Sequence, residues 1–215
     1  PLTFYKMLMN YLNYNLLKLS IQLSLDGFCF YITNPDSNEL LQVLRNDFSS
    51  RKSDPKLLLD ELERFIFKED LGDLNFKSVE VLHENNLISI VPNTYFDETK
   101  LELYLTNTIK LYPSDYISFD PIHSIDAQAV YLPFVNINNY ILEKFGAFDY
   151  QHAAARLLDK LSLLSNEGEK LHKDIYLNLN LSSIEIIVFE NKKLVFFNNF
   201  DTRTKEDVVY YTLFA

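Results

Sequence analysis

Three stretches carry residue types whose spacing could do chemistry. In "FDPIHSID", Asp120, His123 and Asp126 lie within seven residues, close enough for an acid–base site or a metal site. The competing reading is a polar loop between two strands, and it is the stronger one. The other two, "SLDGF" and "NLNLSS", read as tight turns between apolar runs, with small polar residues at their tips. The other histidines, His83, His152 and His172, have no ligand spacing. His152 precedes "AAA" and reads as a residue capping or leading a helix, and Cys29 reads as a small core residue in mid-strand. No Ser/His/Asp order, P-loop or cysteine cluster occurs.

Composition narrows the classes. With 215 residues, 47% of them hydrophobic, the chain can bury a real core in one domain or two small lobes. Only 4 Gly and 7 Pro argue against disorder. A net charge of −10 argues against nucleic acid, whose phosphates are bound by Lys and Arg. A single cysteine excludes an internal disulfide and fits a reducing, cytoplasmic setting. The opening "PLTFYKMLMNYLNYNLLKLS" is broken by Lys6, Asn10, Asn13 and Asn15, so it reads as neither signal peptide nor membrane span. The first residue is Pro rather than Met, so residues are expected to precede it.

The elements that would position these residues follow from periodicity. Residues 17–33 alternate around Asp26-Gly27, the strongest short-range hairpin signal, and a third strand is predicted at 39–47. A helix over 53–70 has Ser53 or Asp54 as N-cap, Pro55 at its first position and an inward stripe of Leu58, Leu62, Phe65 and Ile66. Strands follow at 76–83 and 87–92. "DETKLELYLTNTIKLYP" predicts a helix over 97–113 stopped by Pro113, with Leu101, Tyr104, Leu105 and Thr108 on one face. Two strands, a helix at 136–145 closed by Gly146 and a helix over about 150–165 come next. A second hairpin at 175–190, a strand at 193–200 and a last helix end the chain.

The two hairpins superpose with an offset of 156, which pairs Ile21 with Leu177, Leu23 with Leu179 and Phe30 with Ile186. Asp26-Gly27 then falls on Ser182-Ser183. Two such units, each followed by a strand and a helix, predict a duplicated α/β fold with mixed sheets.

That element order resembles the duplicated actin-like ATPase (ribonuclease H-like) fold. "KLELYLTNTIKLYPSDYISFDPI" and "AQAVYLPFVNINNYILEKFGAFDYQHAAARLLDKL" look like the extra subdomain of the PilM and FtsA proteins. From about residue 17 on, the chain resembles a bacterial family, domain-of-unknown-function family 3822, assigned to that fold. The resemblance implies a first lobe over 1–92 and 136–170 and an inserted small subdomain over 93–135. A second lobe starts over 171–215 and is cut off at Ala215, inside its first helix.

In working members of the fold each hairpin carries Asp-x-Gly and small residues. Matched position by position, Gln22 stands at the first acid and Ser24 at its glycine. Asn178 and Asn180 stand at the second pair, with Leu181 after them, while Ser182 and Ser183 keep small polar character. A register shifted by two residues would put Asp26-Gly27 at the phosphate; a plain hairpin turn is the favoured reading of that pair.

The resemblance therefore implies a pseudo-ATPase, leaning away from enzyme, with no cofactor, no metal and no catalytic residue. The expected role is a cytoplasmic scaffold for a protein partner or a homo-oligomer, with Tyr104 and Tyr112 as candidate partner contacts. Membrane contact would be peripheral, through a membrane-protein partner. The competing class is an ATPase or kinase of the actin-like superfamily whose loops have diverged but still bind nucleotide.

Overall fold

The computed structural model describes residues 13–52, 54–107, 109–165 and 173–215. The chain divides into two compact units. The first runs up to Leu82 and adds Val135–Tyr150; the second holds His83–Phe134 and the chain from Gln151.

In the first unit β1 (Lys18–Ser24) and β2 (Gly27–Asn34) form the predicted hairpin, with Ile21 opposite Phe30 and Ser24 opposite Gly27. β3 (Glu39–Asp47) pairs with β2, and β4 (Ser78–His83) lies on the other side of β1. Alternation buries Leu19, Ile21 and Leu23 of β1 completely, and β2 adds Phe28, Phe30 and Ile32. Helix α1 (Pro55–Lys68) starts at Asp54, whose side chain accepts from the N–H groups of Lys56 and Leu57 at 2.8 and 3.1 Å. Ser53, the other cap candidate, lies outside the described residues. The predicted stripe Leu58, Leu62, Phe65 and Ile66 is the buried face, and the Phe65 ring packs on Phe28 and Phe30 at 5.0 and 5.4 Å.

The second unit has two three-stranded sheets. β5 (Ile88–Pro92), β6 (Ser118–Ile122) and β7 (Ala127–Tyr131) run in the order β5-β7-β6. The predicted helix over 97–113 is much shorter: a 3-10 turn at Glu98–Lys100 and one α-helical turn, α2 (Leu101–Leu105). Thr106, Asn107 and Ile109 are weak helix formers, and Leu105 is already anchored in a core with Val91, Val130 and Leu132. Thr108, the fourth residue of the predicted stripe, lies outside the described residues.

Helix α3 (Val135–Phe145) belongs to the first unit and ends as predicted at Gly146, whose φ of 77° is the left-handed conformation of a helix C-cap. The helix predicted from about 150 begins later. Asp149–His152 is a strand, β8, and the five-stranded sheet runs β3-β2-β1-β4-β8. His152 is extended and its Nδ1 caps helix α4 (Ala153–Leu164) by accepting from the N–H of Ala154 at 3.1 Å.

β9 (Lys173–Leu179), β10 (Ser183–Glu190) and β11 (Lys193–Asp201) make the last sheet, in the order β11-β10-β9, followed by α5 (Lys205–Phe214). Thr204 and Asp207 form a reciprocal capping box at the start of α5.

The second hairpin repeats the first in register. Leu177 faces Ile186 and Leu179 faces Ile184, each 156 residues beyond its counterpart pair. The ladder to the third strand slips between Ile32 and Thr33 in one and between Val188 and Phe189 in the other, again 156 apart. Just past the third strand, the N–H of Phe48 donates to Asp26 O and that of Thr202 to Ser182 O, each at 2.8 Å. The duplication extends to main-chain hydrogen bonds.

Candidate functional site: two hairpin turns and the groups around them

Both turns hold side chains committed to the fold. In the first unit Gln22 is the ladder partner of Cys29, a buried residue of β2. Ser24 Oγ accepts from the N–H of Asp26 at 3.2 Å and donates to Gly27 O at 3.3 Å, closing the turn on itself. Gly27 is needed for packing: a Cβ there would stand 2.5 Å from the carbonyl oxygen of Asn46 on β3. The glycine makes room for a neighbouring strand.

In the second unit Asn178 donates through Nδ2 to Glu185 Oε2 at 2.8 Å, across the β9–β10 ladder. Asn180 donates its N–H to Ser183 O at 2.9 Å, and Ser183 is buried at the start of β10. Glu185 is 2% exposed. Burial pushes its carboxyl up from the ordinary range and the hydrogen bond from Asn178 draws it back; Glu84 adds to the rise and Asn199 opposes it. Glu185 did not stand out as a candidate in the sequence, although it is the one charged residue inside the apolar run "IEIIVF".

Asp120, His123 and Asp126 serve separate partners. Asp120 accepts the N–H of His152 at 2.7 Å, and burial raises its carboxyl to about 6 against the pull of that bond. His123 sits in a 3-10 turn whose next residue, Ser124, donates its N–H to Asp159 at 3.0 Å. Asp126 is left-handed, with φ 52°, and accepts the side-chain amide of Asn93. No group of three or more His, Cys, Asp or Glu with metal-holding geometry occurs among the described residues.

His152 is fully buried with its ring 5.1 Å from that of Tyr131. Its Nδ1 accepts from Ala154, so Nε2 carries the proton and donates to Asn85 O at 3.1 Å. Burial first, and the nearby His83 second, lower it to about 3, a neutral imidazole that holds backbone together. His83 is also buried and accepts the N–H of Phe134 through Nδ1 at 3.3 Å. His172 lies outside the described residues.

The two candidate contact tyrosines differ. Tyr104 stacks on Phe96 at 6.0 Å, and its hydroxyl donates to Tyr95 O and accepts the N–H of Asp97, both at 2.7 Å. It packs against the core of Val91, Leu105, Val130 and Leu132. Tyr112 is exposed, with the Lys110 ammonium 5.3 Å from its ring centre. No helix among the described residues is long and apolar enough to cross a membrane.

Among solved structures, the chain is similar to a Bacteroides thetaiotaomicron VPI-5482 protein with actin-like ATPase fold and unknown function. That match has a TM-score of 0.78 at 21% identity, over 94% of this chain and 76% of the other. It is also similar to a chain of the PilM–PilN type IV pilus biogenesis complex, with a TM-score of 0.52 at 11% identity, over 90% of this chain and 63% of the other. No curated protein matches. The mixed α/β architecture and the repeated hairpin are those of the actin-like ATPase fold, as the element order predicts. The family described as "Protein of unknown function (DUF3822)" matches residues 8–215, and the chain belongs to it.

Proposed function

We propose that this chain is an actin-fold protein that does not turn over ATP and serves as a cytoplasmic scaffold for a protein partner. The observation that carries the reading is the state of the two turns. Where the fold's phosphate loops need an acid and a glycine, this chain has Gln22 with Ser24 and Asn178 with Asn180. Gly27, the nearby glycine, is spent on the approach of Asn46. Asn178 is engaged by the buried Glu185. Losing several charge-assisted contacts at about 1.5–3 kcal/mol each removes roughly 5 kcal/mol, enough to carry a micromolar site beyond the millimolar range.

The scaffold half of the reading is supported by likeness to a protein solved in the PilM–PilN complex. A first lobe, an inserted subdomain over 93–135 and a second lobe from 171 are part of the same proposal, supported by the placement of the two hairpins in separate sheets. Melting the protein with and without Mg-ATP tests the nucleotide half. At about 1 mM ATP a site with a tenfold lower dissociation constant adds roughly 1.4 kcal/mol of stability. We expect no shift and no released phosphate; a rise of several degrees would favour an ATPase or kinase with diverged loops.

A further inference from the structure

The second unit contains a cavity of about 670 Å³ bounded by β5 and β11. Both strands are edges of their sheets: β5 has β7 as its neighbour and β11 has β10. Every residue of β11 from Lys193 to Asn199 lines the cavity, and β5 contributes Ile88, Ser89, Ile90 and Pro92. Side chains of a strand alternate between its two faces, so a cavity against one face would meet every second residue. An unbroken run means that the edge itself, with its outward N–H and C=O groups, faces the space.

The walls are chemically graded. Ile88, Ile90, Ile125, Leu194 and Phe197 are half-buried and continue a core that includes Ile122, Ile187 and Phe189. At the start of β11 the wall carries Lys192 and Lys193. The turn that presents them is fixed, with Asn191 and Lys192 both left-handed at φ 50° and 64°. Asp126, the only acid on the wall, accepts the amide of Asn93. In a chain of net charge −10 this is a local cationic end on a groove with mixed polar and apolar walls. A strand residue fills about 160 Å³, given the spacings between strands and between sheets, so the cavity holds about four.

We propose that this groove takes an extended peptide segment of a partner protein, paired by its main chain to the open edge of β11. The segment is about four residues long, apolar at alternate positions, with a carboxylate at the end next to Lys193. This rests on the protein-binding half of the proposed function and names its site.

The probe is the peptide acetyl-Glu-Val-Thr-Val-Lys(fluorescein)-amide, titrated into the full chain. Micromolar binding is expected, falling at least tenfold when alternate peptide nitrogens are methylated. Ser89→Trp, which fills the groove from the β5 side, gives the same loss. Val195→Trp, at a half-exposed site, repeats the test should the first variant misfold by circular dichroism. Lys193→Glu weakens the Glu-ended peptide about tenfold and leaves a Gln-ended one unchanged.

No binding at about 1 mM peptide, or binding indifferent to methylation and to both tryptophans, overturns the groove. A dimer of this chain that Ser89→Trp dissociates also overturns it, by seating a second copy there. Those results leave the scaffold reading standing, whereas ATP binding removes that reading whatever the peptide does.

Discussion

The hairpins β1–β2 and β9–β10 are the same piece of backbone in two settings. Leu19, Ile21 and Leu23 have no exposed surface, while their counterparts Ile175, Leu177 and Leu179 are 57%, 42% and 61% exposed. Register agrees and burial does not. In the first unit β1 is central, with β4 beside it, and α1 presses four fully or nearly buried side chains onto the sheet. In the second unit β9 is an edge strand, and α5 covers the β10–β11 side, where Tyr211 stacks on Phe200 at 4.3 Å. Pairing is decided locally, by a tight turn and an alternating pattern. Cover is decided by which distant elements arrive.

The largest expected effect is a pair of equivalent substitutions. Ile21→Ala leaves a cavity in a closed core and should cost about 2–5 kcal/mol. Leu177→Ala, at the matching position, removes a side chain already in contact with water and should cost less than about 1 kcal/mol. Urea unfolding of both variants checks this; equal losses would mean that the exposed face of β9 is covered in solution.

The same division explains what could be read from the chain. The two hairpins, the α1 stripe and the helix ending at Gly146 rest on patterns within about 20 residues, and the structure has them as read. The helix over 97–113 does not form at that length, because its apolar spacing came with Thr106, Asn107 and Ile109, and packing of Leu105 and Tyr104 closes the segment sooner. β8 was hidden because Asp149–His152 carries no apolar alternation; it pairs beside β4, and His152 N–H also donates to Asp120, 32 residues away. The identity of the residues at the two turns was plain in the sequence. Their engagement was not, since Gly27 answers to a carbonyl on β3 and Asn178 to a carboxylate on β10.

Gly27 and Ser183 are equivalents that differ in what surrounds them, and exchanging their chemistry sharpens the comparison. Gly27→Ala forces a Cβ to within 2.5 Å of Asn46 O and 3.0 Å of Asp47 Cα, so β3 must move. The expected loss is about 1–3 kcal/mol. Ser183→Ala keeps the existing Cβ at the matching position, and its loss should stay under about 1 kcal/mol. Nucleotide binding should appear in neither variant. A Gly27→Ala protein as stable as the parent would show that the β2–β3 approach is loose enough for the turn to serve another purpose.

The smallest effect concerns the buried acid of the second hairpin, Glu185, whose counterpart in the first is Cys29. Burial raises the Glu185 carboxyl above its unfolded value. The folded state therefore binds more protons than the unfolded chain between the unfolded value and the higher folded one. Stability from this group is fully present below the unfolded value and is lost as pH rises through the folded one. Glu185→Gln removes the titration while its amide oxygen can still accept from Asn178. The variant should match the parent near pH 4 and be the more stable of the two at pH 8. Paired urea titrations at the two pH values read this directly. A variant less stable than the parent at pH 8 would mean that the ionised carboxylate is held by Asn178 and Asn199 more strongly than burial opposes it. In that case the second hairpin would hold a stable buried anion at the position that Cys29 takes in the first.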